Sequence, residues 1–251
     1  MTATQIEAIL KPSAKERLIV ALDVDSQASA REVVSELDDV AEIFKVGLQL
    51  FTNAGPGFVE ELVSAGKRVF LDLKFHDIPN TVAKAGIESA RLGVWMFNVH
   101  TSGGTEMMTR TREAVAEFCV ATERVRPLIL GVTVLTSMDQ KGLMEIGEGT
   151  DVAARVNRLA ELAFSSGLDG VVASAKEAAE IHAAVADPNF LVVTPGVRPT
   201  DGTKDDQKRV TSPSAAISAG ASHLVVGRPI LDAADRRKAF LDILGEIELA
   251  A

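Results

Sequence analysis

Residues 69–81 read VFLDLKFHDIPNT, a run that begins as a strand and finishes as the start of a helix. A strand alternates its side chains between two faces, so Asp72 and Lys74 share one side. Burying an unpaired charge costs several kcal/mol, so that side must be wet, paired or functional.

The same strand-then-helix unit recurs on both sides of this stretch. Short apolar, β-rich runs appear eight times: RLIVALDV, IFKVGLQL, RVFLDLK, WMFNVH, PLILGVTVL, GVVASA, FLVVTPGV and HLVVGRP. Helix-like segments separate them, among them ASAREVVSELDDV, PGFVEELVSAG, TVAKAGIESARLG, TEMMTRTREAVAEF, VAARVNRLAELAFSSG, AKEAAEIHAAVA and SPSAAISAG. Alternating strands and helices imply parallel strands with crossover helices, and nearly continuous apolar runs imply a sheet covered on both faces. Eight units in one uninterrupted chain predict an α/β fold, a (β/α)8 TIM barrel, with a doubly wound open sheet as the alternative. With no Pro/Ser linker or low-complexity stretch, residues 1–251 read as a single barrel domain, residues 1–15 being an N-terminal extension.

A net charge of -9 argues against a general nucleic-acid or anionic-membrane partner, which calls for a basic surface. An anionic substrate must then be caught by a local cluster of Lys and Arg. The opening MTATQIEAILKPSAKER lacks the apolar core of a signal peptide, and no apolar run approaches a membrane span. The single Cys119 excludes a disulfide within one chain and fits a reducing cytoplasm; its helix-like surroundings, EAVAEFCVA, make it a packing residue.

Polar residues gather at the carboxyl ends of the strand runs, where barrels of this class carry their catalytic mouth. Asp23 ends the first run, Lys45 lies in the second, and Asp72 with Lys74 end the third. Asn98 and His100 close the fourth, Thr136 follows the fifth, and Ser174 ends the sixth. Asp72, Lys74 and Asp77 form D-x-K-x-x-D. Read structurally, this is an ion-pair network bracing the barrel mouth. Read chemically, Lys45, Asp72 and Lys74 form a row of alternating charge that keeps each group ionised. It would hold Lys74 as an ammonium suited to steadying a carbanion and then donating a proton. A second constellation, Gly196 with Arg198 in TPGVRP and Gly227 with Arg228 in VVGRPI, follows the seventh and eighth runs, where barrels often bind phosphate. Glycine lets backbone approach closely, and Arg offers a planar fork to phosphate oxygens.

In these motifs the chain resembles the orotidine 5'-phosphate decarboxylase family in its bacterial form. The resemblance runs from Leu18 to Leu244 through ALDV, KVG, FLDLKFHDIPNT, LGVWMFNVHTSGG, VTVLTSM, GLDGVV, VTPGVRP and VVGRPI, in that order. It implies a (β/α)8 barrel working as a homodimer with shared active sites, without metal or organic cofactor. The implied activity is that of a carboxy-lyase converting orotidine monophosphate to uridine monophosphate and carbon dioxide in pyrimidine synthesis. Carried over by position, Lys74 protonates pyrimidine C6, Asp72 sits beside the departing carboxylate, and Lys45 completes the charge row and touches the ribose. Asp23 binds a ribose hydroxyl, while Asp77 and Thr81 reach into the partner's site with Ile78 lining it. Thr136 meets the pyrimidine ring, and Arg198, Gln207, Gly227 and Arg228 hold the phosphate.

His76 reads as a supporting residue beside an electrostatic site and His100 as part of the mouth. His182 and His223 read as surface or packing residues, and Trp95 as core or interface. Two rival readings remain. One is a Mg2+-dependent decarboxylase or aldolase of sugar phosphates, whose strand-two metal ligand is here Lys45. The other is a barrel that binds a nucleotide without chemistry.

Overall fold

In the computed structural model, residues 13–198 and 211–250 are described. The eight runs become eight strands: β1 Leu18–Ala21, β2 Ile43–Gly47, β3 Arg68–Phe75, β4 Met96–His100, β5 Leu128–Val132, β6 Gly170–Val172, β7 Leu191–Pro195 and β8 His223–Val226. All neighbours are parallel, and β8 returns to β1 with Val226 opposite Val20, so the sheet closes as a barrel and the open-sheet alternative falls.

The two-residue period of the strands sorts side chains into two apolar layers. Ile19, Ile43, Phe70, Met96, Leu130 and Val193 fill the barrel interior. Val20, Phe44, Leu71, Phe97, Val171 and Val192 face outward into the core shared with the helices. The interior is therefore packed below its mouth, and a ligand has room only above that filling. At the opposite end Arg68 lies over the Trp95 ring, 5.2 Å from its centroid, and Trp95 meets His223 edge-on at 5.4 Å. Arg68 is held there by Glu42 at 2.9 Å and Glu16 at 3.3 Å. Glu16 belongs to a short helix, Ala14–Arg17, that leads into β1. Of the extension expected over residues 1–15, residues 1–12 lie outside the described part.

Most of the expected helices form, including Gln27–Glu36, Pro79–Arg91, Gly104–Ala121 and Val152–Ser165. Side chains of Ser26 and Asp151 cap two of their first turns, and Pro79 starts another, where its missing N–H costs nothing. The run IFKVGLQL splits, however: β2 stops at Gly47 and a helix takes Leu48–Ala54. A Cβ on residue 47 would lie 2.9 Å from Lys45 Nζ, so only glycine leaves that ammonium its place at the turn. No helix among the described residues is long and apolar enough to cross a membrane.

Candidate active site

A cavity of about 520 Å3 opens at the carboxyl ends of the strands. One wall is a row of charge assembled from three adjacent strand ends. Lys45, only 6% exposed, projects inward from β2 and places its Nζ 2.8 Å from Asp23 Oδ1 and 3.5 Å from Asp72 Oδ2. Asp72 Oδ1 then accepts from Lys74 Nζ at 2.6 Å. The order Asp23–Lys45–Asp72–Lys74 alternates in sign throughout, so every contact is attractive and the row is neutral as a whole. A buried ammonium without such partners would be strongly unfavourable.

Simple alternation does not carry β3 as far as Lys74. Lys74 adopts φ 53°, in the left-handed region that an L-residue rarely enters, within an irregular stretch of the β3–β4 pairing. Asn98 of β4 donates to Asp72 Oδ1 at 2.7 Å and accepts from the Lys74 backbone N–H at 2.8 Å. His100 lies close by, its ring 5.4 Å from that of His76. Burial foremost, then the neighbouring His76 and Lys74, push the His100 pKa down, against a smaller opposing pull from Asp72.

The other wall comes from the ends of β7 and β8 and the segment after β5. Gly196, Arg198, Gly227 and Arg228 line the cavity together with Thr136 and Ser137. Gly196 has φ 77°, which lets the chain turn sharply after β7 and brings Arg198 to the mouth. Arg228 opens the helix Arg228–Leu231 directly after Gly227. Arg198 and Arg228 thus line the same cavity as the charge row, from the ends of β7 and β8, the strands that lead back to β1. This arrangement suits a ligand with an anionic group at one end and a reacting centre at the other.

Asp23, Lys45, Asp72, Lys74, Thr136, Arg198, Gly227 and Arg228 all line this one cavity. Asp77, Ile78 and Thr81 stand outside its lining, at the start of the helix Pro79–Arg91. Asp77 Oδ1 accepts from the Ile78 N–H at 2.7 Å, and Ile78 is 67% exposed. Gln207, like the rest of residues 199–210, lies outside the described residues. Sequence reasoning passed over Ser137 and gave Asn98 no role. Strand alternation puts Asn98 on the inward face with Met96 and His100, but its two partners on β3 follow only from the pairing of the two strands.

The sequence model of the orotidine 5'-phosphate decarboxylase / HUMPS family matches residues 16–243. This chain belongs to that family. An orotidine 5'-phosphate decarboxylase of Syntrophotalea carbinolica is 52% identical over 237 residues, covering 94% of this chain and 97% of the relative. One from Moorella thermoacetica is 47% identical over 249 residues, covering 99% and 98%. Among solved structures, the orotidine 5'-phosphate decarboxylase of Lactobacillus acidophilus superposes with a TM-score of 0.81 at 37% identity, covering 92% of this chain and 98% of that one. The family resemblance carried by the strand-end motifs therefore extends along the whole barrel.

Proposed function

We propose that this protein decarboxylates orotidine 5'-monophosphate to uridine 5'-monophosphate and carbon dioxide, serving pyrimidine nucleotide synthesis as a carboxy-lyase. The observation that carries the reading is the alternating row ending at Lys74, set in one cavity with Arg198 and Arg228. The two arginines and the strand-end glycines Gly196 and Gly227 take the phosphate. Thr136 faces the pyrimidine and Asp23 and Lys45 the ribose. This binding places the C6 carboxylate beside Asp72 and C6 itself beside the Lys74 ammonium.

The C6–carboxyl bond then breaks, carbon dioxide leaves, and the bonding electron pair stays on C6. The pyrimidine offers no electron sink for that pair, so fixed positive charge at Lys74 stabilises it as it develops. A proton passes from Lys74 Nζ to C6, and the resulting amine regains a proton from solvent. Asp72 serves two ends: it aims the Lys74 ammonium through the 2.6 Å contact, and it repels the substrate carboxylate before that group departs. Lys45 balances Asp72 from behind, 3.5 Å away, so that a third negative charge is not left facing two others.

No metal or organic cofactor enters this scheme. The place between Asp23 and Asp72, where two carboxylates could share a cation, is taken by the Lys45 ammonium. The working form is a homodimer, in which Asp77, Ile78 and Thr81 of each chain reach the cavity of the other.

The direct test is the disappearance of orotidine monophosphate absorbance with purified protein in excess chelator, with and without added Mg2+. Equal turnover in both arms is the expected result. Activity that vanishes with chelator and returns with Mg2+ would promote the sugar-phosphate rival. Uridine monophosphate binding with no turnover would leave a nucleotide-binding barrel.

A further inference from the structure

Asn98 is the β4 residue set against the irregular part of β3. Leu71 pairs with Phe97 and Phe75 with Val99, so an advance of four residues on β3 meets an advance of two on β4. The surplus bulges out of the ladder between those pairs, and it holds both Asp72 and Lys74. A left-handed backbone at a residue with a Cβ costs about 1–2 kcal/mol, so the φ of 53° at Lys74 needs support from its surroundings.

The Asn98 side chain meets the bulge at two points. Its Oδ1 accepts from the Lys74 backbone N–H at 2.8 Å, and its Nδ2 donates to Asp72 Oδ1 at 2.7 Å. Chemistry fixes which end of the amide faces which partner. A backbone N–H can only be met by the oxygen, and an ionised carboxylate only by the NH2. Asn98 is 0% exposed, which keeps water from competing for either bond. Asp72 Oδ1 is also the atom that takes the Lys74 ammonium, so one amide ties together the lysine's backbone and the carboxylate that aims its side chain.

We infer that Asn98 is a positioning residue for decarboxylation: its amide holds Lys74 in the left-handed conformation and fixes Asp72, so that the ammonium points at the reacting carbon. The inference rests on the roles of Lys74 and Asp72 set out under the proposed function. It adds a requirement that those roles do not contain, namely a neutral side chain at position 98 that accepts from one partner and donates to the other. A residue that only filled space there would be replaceable by any group of similar size.

Two substitutions separate positioning from packing. Asn98→Ala should lower kcat about a hundredfold, with KM and the dissociation constant of uridine monophosphate changing by less than about threefold, because ligand contacts persist while the ammonium loses its aim. Asn98→Asp has nearly the same shape and keeps the acceptor for the Lys74 N–H. As a carboxylate it cannot donate to Asp72 and sets like charge beside it, whereas its neutral acid form regains an O–H donor. Burial and the adjacent Asp72 carboxylate raise the pKa of an Asp at this position above its ordinary value, so the ratio of its kcat to that of the wild type should rise at least roughly tenfold from about pH 8 to about pH 5. A ratio flat across that range, or an Asn98→Ala enzyme within about threefold of wild-type kcat, overturns the inference. If Asn98→Ala is insoluble, the pH ratio of the near-isosteric variant decides alone. Lys74→Ala measured alongside keeps the two levels apart. A crippled Lys74→Ala enzyme beside an unimpaired Asn98→Ala enzyme sinks the positioning role only. A wild type without decarboxylation, or an unimpaired Lys74→Ala enzyme, sinks the reading of the site and this inference together.

Discussion

Lys74 Nζ stands 2.6 Å from Asp72 Oδ1, although a single residue separates them in the chain and Lys74 departs from the regular strand conformation. Two side chains on the same face of a flat strand project side by side. The bulge turns the lysine so that its ammonium meets the carboxylate, leaving both groups on the cavity wall. The pairing is what makes a charged residue tolerable there.

The same contact sets the first prediction. In the proposed mechanism, Lys74→Ala removes both the counter-charge for the developing carbanion and the proton donor. Turnover should drop by at least about a thousandfold, roughly 4 kcal/mol of transition-state stabilisation. Uridine monophosphate carries no carbanion, so its affinity should survive far better than catalysis. Steady-state kinetics and product titration check both halves. A variant keeping a tenth of wild-type kcat would refute the assignment.

Much of this is legible in the sequence. The eight apolar runs fall on the eight strands because buried parallel strands must be apolar on both faces, and D-x-K-x-x-D lands at a strand end because inward charge is tolerable only at the mouth. Three features were not legible. The split of IFKVGLQL after Gly47 breaks one continuous apolar run into strand and helix, and the crowding of a Cβ at residue 47 against Lys45 Nζ appears only once the fold brings them together. The left-handed Lys74 depends on a register shift between two strands, and a sequence read one strand at a time carries no register. Asn98 looks like any polar strand end until its two partners from β3 are seen against it.

A shared site predicts complementation between inactive chains. Asp77, Ile78 and Thr81 lie outside the cavity lining of their own chain, and Ile78 is exposed. If Asp77 acts in the partner's cavity, mixing Lys74→Ala chains with Asp77→Ala chains should recover activity. One site of each mixed dimer then carries both lesions and the other carries neither. Roughly a quarter of wild-type turnover is expected when half the dimers are mixed, since each of those has one intact site. Mixed dimers that form and remain inactive would place Asp77 in its own chain's chemistry.

The floor of the barrel predicts an acid-sensitive stability. Full burial, then the nearby Arg68 and Arg17, push His223 down to about 3, and its Nδ1 is buried without a hydrogen-bond partner. Between the ordinary histidine value and about 3, the unfolded chain binds a proton at this position and the folded chain does not. Stability is thus complete above about pH 6.5 and is lost as pH falls, by at most roughly 4–5 kcal/mol by the time the folded value is reached. His223→Leu removes this one contribution while other groups titrate as before. Its Tm should fall less steeply than that of the wild type between about pH 6.5 and about pH 4. Parallel Tm profiles would show that the histidine titrates no differently in the folded and unfolded chains.

Arg228 tests whether binding at the phosphate end drives chemistry at the other. It follows Gly227 at the end of β8 and lines the same cavity as Lys74, which comes from β3. A guanidinium that grips the phosphate contributes binding energy far from C6, and that energy can be spent on holding C6 against the Lys74 ammonium. Arg228→Ala should lower kcat/KM for orotidine monophosphate by about 2–5 kcal/mol, the range for truncating one partner of a charge-assisted contact. Orotidine, which has the same base and ribose but no phosphate, supplies the control. Its already slow decarboxylation should be almost unchanged by the substitution, because the contact that was removed never formed with it. Kinetics on both substrates with both enzymes complete the cycle, and the interaction energy lies in the difference between the two losses. Equal losses on the two substrates would mean that Arg228 shapes the mouth of the barrel and leaves the phosphate to other groups.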